Sequence, residues 1–245
     1  MIRDLLAYPL RGSPRYDALL VGGGLHLLAI WLPLLPFVAV AGYLARVLVT
    51  TAGRDRIADA DRPGWRPARS LLADGLRLCV TCIGYLVVPV TLLVVTLGGP
   101  LERVDPTGTT DGLIFVAGTT LATLLAFAAA YPLPAALVAV ARERSLSAAL
   151  DWGLIGTATR DAGYLVAVLF AGAGLAAAAG LYGPLNAVAL GFFVAFYVEM
   201  VAAAMVGSAV GRAWERRGIA GRPGEPFEWS NERPEPTATR HENGR

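Results

Sequence analysis

Along this chain, long runs without a formal charge alternate with short stretches crowded with arginine. Ala18–Ala45 holds 28 uncharged residues, Leu78–Leu101 holds 24, Gly112–Ala141 holds 30 and Ala162–Val198 holds 37. A helix rises 1.5 Å per residue, so about 20 apolar residues cross a hydrocarbon core of about 30 Å. A core helix of a water-soluble domain would show a polar stripe along one side. These runs show none. The pattern predicts an all-α integral membrane protein: a bundle of five to six transmembrane segments whose first partner is the lipid bilayer.

Gly, Pro and charge mark the breaks. "GGPLERVDPTGTTDG" (98–112) predicts a loop between two full spans, and "GLYGPLN" (180–186) the turn of a tight helical hairpin. "LPLLP" (32–36) admits two readings, one kinked helix or a turn between two short ones. "RSLLADGLRL" and "RSLSAALDWGLIGTA" predict interfacial amphipathic helices lying along the headgroups. From Gly218 onward Pro, Glu, Arg and Gly dominate, a composition that buries too little apolar surface to offset ordering entropy. The expected organisation is a transmembrane helical domain over 1–217 and a disordered cytoplasmic tail over 218–245.

Arginine placement bears on "LPLLP", because cytoplasmic loops collect positive residues. With an outside turn there, 20 arginines lie inside and one, Arg103, outside; with one kinked span the split is 17 to four. The first threading puts both termini in the cytoplasm. Length argues against it, since Asp17–Leu32 and Leu34–Thr50 would each reach only about 25 Å. A weak internal repeat favours the hairpin: "GYL" recurs at 42–44, 84–86 and 163–165, and arginine-bearing exits are followed by tryptophan. Arg and Trp also gather at membrane interfaces without any repeat.

Composition agrees with the class and narrows the chemistry. Charged residues make up 16% of the 245 residues, against about 25% in ordinary soluble domains. The net charge of +2 gives no reason to expect a nucleic-acid partner, and every basic residue is arginine. Two cysteines, Cys79 and Cys82, cannot build a disulfide framework. "PFVAVAG" ends in a small-x-small pattern, but the apolar run before it is too long for a signal peptide.

No motif for catalysis, cofactor or metal emerges, and an enzyme is not expected. Cys79-Val-Thr-Cys82 lacks the second pair that a zinc site would need, so its expected role is packing. Gly22-Gly23-Gly24 lacks the spacing of a phosphate loop and suits close helix approach instead. No GxSxG elbow accompanies any serine. The candidate polar site is Glu199, a lone acid within an apolar run. Glu199, Ala203, Gly207 and Gly211 recur every four residues and so share one helix face, rich in small residues that favour close contact or homo-oligomer formation. Intramembrane acids are costly and mark ion paths; a protonated acid bonded to a neighbouring helix is the simpler reading. His26, at matching depth on its own helix, is the first partner to expect.

The stretches "YPLRGSPRYDALLVGGGLHLL", "GYLARVL", "DGLRL" and "SLSAALDWG", in that order, resemble the family of multi-pass membrane proteins known as domain of unknown function 4013. The likeness spans about residues 3–215. It implies an integral membrane protein, typical of halophilic archaea, with no assigned catalytic residues. Two roles follow for the chain: a structural, assembly or sensing component, or a small-solute or proton-coupled transporter using Glu199 with His26, Tyr197, Thr119, Thr120 and Thr123. Polar residues converging on Glu199 would mark the second.

Overall fold

In lipid every backbone N–H and C=O must find its partner inside the segment, so uncharged runs of this length fold as helices. The computed structural model describes residues 2–11, 17–32, 34–54, 56–98, 109–186 and 189–219, and among these all regular structure is helical. The helices are α1 (Ile2–Ala7), α2 (Asp17–Leu28), α3 (Leu34–Ala52), α4 (Ala68–Gly98), α5 (Thr109–Ala130), α6 (Leu133–Glu143), α7 (Trp152–Thr159), α8 (Ala162–Asn186) and α9 (Leu190–Arg216). Five stretches are long and apolar enough to cross a membrane: α3, α4, α5 continued into α6, α8 and α9. The predicted tail lies outside the described residues beyond Ile219, as does the 99–108 stretch of the predicted loop.

"LPLLP" separates two helices rather than kinking one. Helix α2 ends at Leu28, and Trp31 and Leu32 donate back to the Leu28 carbonyl. Pro36 falls in the first turn of α3, where helix N–H groups have no intrahelical partner and a missing one costs nothing. Helix α2 has 12 residues, about 18 Å, and is too short to span. The hairpin is therefore one short and one full-length arm.

Two other boundaries differ from the sequence reading. "RSLLADGLRL" is not a separate interfacial helix; it forms the first turns of α4, continuous for 31 residues. No Gly–Pro break follows it, and its charges are handled on the helix, with Arg77 donating to Asp74 at 2.9 Å. Helix α8 likewise runs through Asn186, the last residue of "GLYGPLN", and α9 starts at Leu190. "RSLSAALDWGLIGTA" does form short separate pieces, a 3-10 turn over Leu146–Leu150 and then α7. Asp151 caps α7 by accepting from the N–H groups of Gly153 and Leu154.

The helices meet where side chains vanish. A Cβ at Gly42 would overlap the Leu71 carbonyl oxygen, and one at Gly75 the Val38 carbonyl, so α3 and α4 cross backbone against backbone. On α9, Gly207 and Gly211 lie against Leu48 and Ala52 of α3. The small-residue face expected to favour an oligomer is thus taken up inside the chain.

Longer side chains fasten the ends. The α5–α6 break at Tyr131–Pro132 leaves a carbonyl and a first-turn N–H without helical partners. The Tyr164 hydroxyl of α8 serves both, donating to Tyr131 O at 2.6 Å and accepting from Ala135 N at 3.2 Å. Trp214 is buried and donates to Leu154 O at 3.0 Å, which docks α7 on α9. Asp161 accepts from Tyr164 N and, at 2.6 Å, from Arg216, joining the start of α8 to the end of α9. Burial pushes the Asp161 carboxyl up, but these donors outweigh it and hold the carboxyl below its ordinary value.

Candidate functional site

Helices α2 and α9 lie together because Gly22 and Gly23 leave room for the rings of Phe196 and Phe193. Four residues past Gly22, that face of α2 presents His26. Its Nε2 stands 3.1 Å from Glu199 Oε1, and its Nδ1 3.0 Å from the Gly22 carbonyl oxygen. The rings of Phe37 and Phe196 flank the imidazole, with centroids 6.0 and 5.8 Å away.

The second contact fixes the proton arithmetic. A carbonyl oxygen can only accept, so Nδ1 carries a hydrogen. The Nε2–Oε1 contact then holds one proton, either on the carboxyl with neutral imidazole or on Nε2 as an ion pair. Either way the bond is made and His26 is satisfied at both nitrogens. Glu199 Oε2, in contrast, is buried and has no hydrogen-bond partner among the described residues.

Glu199 also lies on the wall of a cavity of about 500 Å³ between α3, α4, α6, α8 and α9. Its lining is almost wholly aliphatic, with Leu44, Leu137 and Leu175 typical. Among the described residues Glu199 is the only formally charged one on that wall, and the Cys79 and Cys82 side chains, both free thiols, share it. His26 is not among the lining residues.

The other polar candidates do not join the pair. Thr119 donates to Phe115 O and Thr123 to Thr119 O, each closing a bond along α5. The Tyr197 hydroxyl donates to Leu6 O at 2.6 Å. Neither these three nor Thr120 lines the cavity. Among the described residues, no three His, Cys, Asp or Glu side chains cluster as a metal site would need.

Sequence reasoning missed a second polar layer at the arginine-rich end. Arg62 bonds Asp17 and donates to Pro9 O, and Arg11 donates to Ile57 O at 2.7 Å, tying the N-terminal segment to the loop after α3. Trp65 from that loop stacks on Tyr43, with centroids 4.3 Å apart. Counting arginines as charge alone concealed these roles; the adjacent Trp65 was the available signal.

Among the described residues, five apolar helices of membrane-spanning length, with a half-buried acid–imidazole pair between two helices, define a polytopic integral membrane protein. The chain belongs to the DUF4013 family of proteins of unknown function, which matches over residues 25–186. His26 falls inside that span and Glu199 beyond it. No curated protein and no solved structure matches the chain.

Proposed function

We propose that the protein is a non-catalytic membrane component that senses or holds a weakly amphiphilic molecule drawn from the bilayer. The observation that carries this reading is the cavity beside Glu199, about 500 Å³ with one carboxyl on an otherwise apolar wall. That volume suits a small-molecule site, and such sites pair apolar walls with a few polar anchors. Glu199, the acid on that wall, supplies the anchor. A path for a polar solute would need converging polar side chains, and Thr119, Thr123 and Tyr197 use their hydroxyls elsewhere. Among the described residues no imidazole lines the wall beside the two thiols, which speaks against nucleophilic catalysis.

A Cβ at Gly172, on the cavity wall, meets no atom within 4 Å, so bulk can be added there without displacing the bundle. Native mass spectrometry of protein extracted in mild detergent should show co-purifying lipid adducts on the wild type. Gly172→Phe should lose them while keeping its melting temperature. Equal adducts on both proteins would end this reading.

We place the arginine-rich end, and with it both termini, in the cytoplasm. Exposed Leu34 opens α3 at one end of the bundle, and exposed Ser147 follows α6 at the other. In a variant lacking Cys79 and Cys82, cysteine at 34 should react with an impermeant reagent from outside, and cysteine at 147 only from inside. External labelling at 147 would reverse the orientation.

A further inference from the structure

At the arginine-rich end, the last turns of α3, the start of α4 and the end of α6 surround a second cavity of about 390 Å³. Arg46, Thr50, Gly64, Arg66, Ser70 and Arg144 line it. Arg46 forms the frame. Its guanidinium donates to Gly64 O at 2.6 Å, Arg66 O at 2.8 Å, Pro67 O at 3.2 Å and Ser70 Oγ at 2.9 Å, fixing the loop that carries Arg66. Arg144 reaches the wall from a left-handed backbone, φ 51°, which a residue with a Cβ adopts at a cost. Asp74, 3.8 Å from Arg144, is bonded to Arg77. Among the described residues that line the cavity three are arginines and none is acidic.

We propose that this cavity is a binding site for a phosphate-bearing group. Guanidinium forks match phosphate oxygens in geometry and charge, and basic pockets between membrane helices on the cytoplasmic side take up anionic headgroups. Position favours a phospholipid headgroup as the source; a free phosphate offers the same chemistry. The site is separate from the cavity beside Glu199, and its occupancy does not depend on that one.

The test uses the full chain, purified in detergent and stripped of lipid. Dissociation constants are measured by thermal shift for dioleoylphosphatidylglycerol, for dioleoylphosphatidylcholine and for inorganic phosphate, at constant ionic strength. Arg66→Ala removes an exposed guanidinium, and Arg144→Gly removes another while relieving its backbone. Each should weaken phosphatidylglycerol binding about tenfold, the loss expected of one charge-assisted contact. Arg69→Ala, on the same helix end but off the cavity wall, should bind like the wild type. Phosphatidylglycerol binding with no response to inorganic phosphate assigns the lipid source. A response to inorganic phosphate that the same two variants abolish assigns the soluble one. Equal binding by wild type, Arg66→Ala and Arg144→Gly overturns the site.

Discussion

Gly75→Ala is expected to leave little folded protein, although it adds a single methyl group. The new Cβ would overlap the Val38 carbonyl oxygen and crowd the Gly42 nitrogen, and neither can rotate away as a side chain would. Overpacking a tight core costs about 1–3 kcal/mol when side chains can adjust. Here α3 and α4 must separate, so the loss should reach or exceed that range. Size-exclusion profiles and melting temperatures in detergent provide the measurement. Gly84→Ala, on the same helix with open space around its Cβ, should match or exceed the wild type, because glycine weakens a helix by about 1 kcal/mol against alanine. If Gly75→Ala melts with the wild type, the close crossing of α3 and α4 is not what holds them.

The second large effect is expected at Glu199. Glu199→Gln keeps length and can still bond His26 Nε2, so its melting temperature should stay close to that of the wild type. Glu199→Ala leaves that nitrogen buried without a partner, at about 1–3 kcal/mol. Glu199→Lys sets an ammonium beside the imidazole and the apolar cavity, and should fail to insert or fold, the cost of an unpaired charge at depth being several kcal/mol. A Lys variant as stable as the wild type would mean that the residue faces water. The Gln variant also separates the two functional readings. In proteoliposomes, proton-coupled uptake by the wild type that Gln abolishes would favour transport over sensing.

Much of this architecture was legible in the sequence because lipid imposes simple rules. Uncharged length marked the spans, and the prolines at 33 and 36 marked a break that the structure resolves into two helices. Depth matching along two helices put His26 opposite Glu199, and the distance between them is 3.1 Å. The failures have two causes: charges that pair locally along a helix, and partners distant in sequence. Asp74 and Arg77 looked like the end of a surface helix, yet their mutual bond lets α4 continue through them. Tyr164 lies 33 residues from the carbonyl to which its hydroxyl donates. The cavity beside Glu199 comes from volume that Ala41, Ala203 and Gly172 do not fill, and in a sequence such residues read only as close packing.

The Tyr164 hydroxyl has a mechanical consequence. It is a rivet between α8 and the bend joining α5 to α6, and both elements contribute to the wall of the cavity beside Glu199. A wedge pushed between them would load that oxygen together with the Tyr131–Tyr164 ring contact. Three residues before that rivet, just ahead of α8, stands the Asp161–Arg216 clasp, at the cytoplasm-facing end of the proposed threading. Strain entering from the lipid side would thus arrive, over less than one helical turn, at a charged latch within reach of soluble proteins.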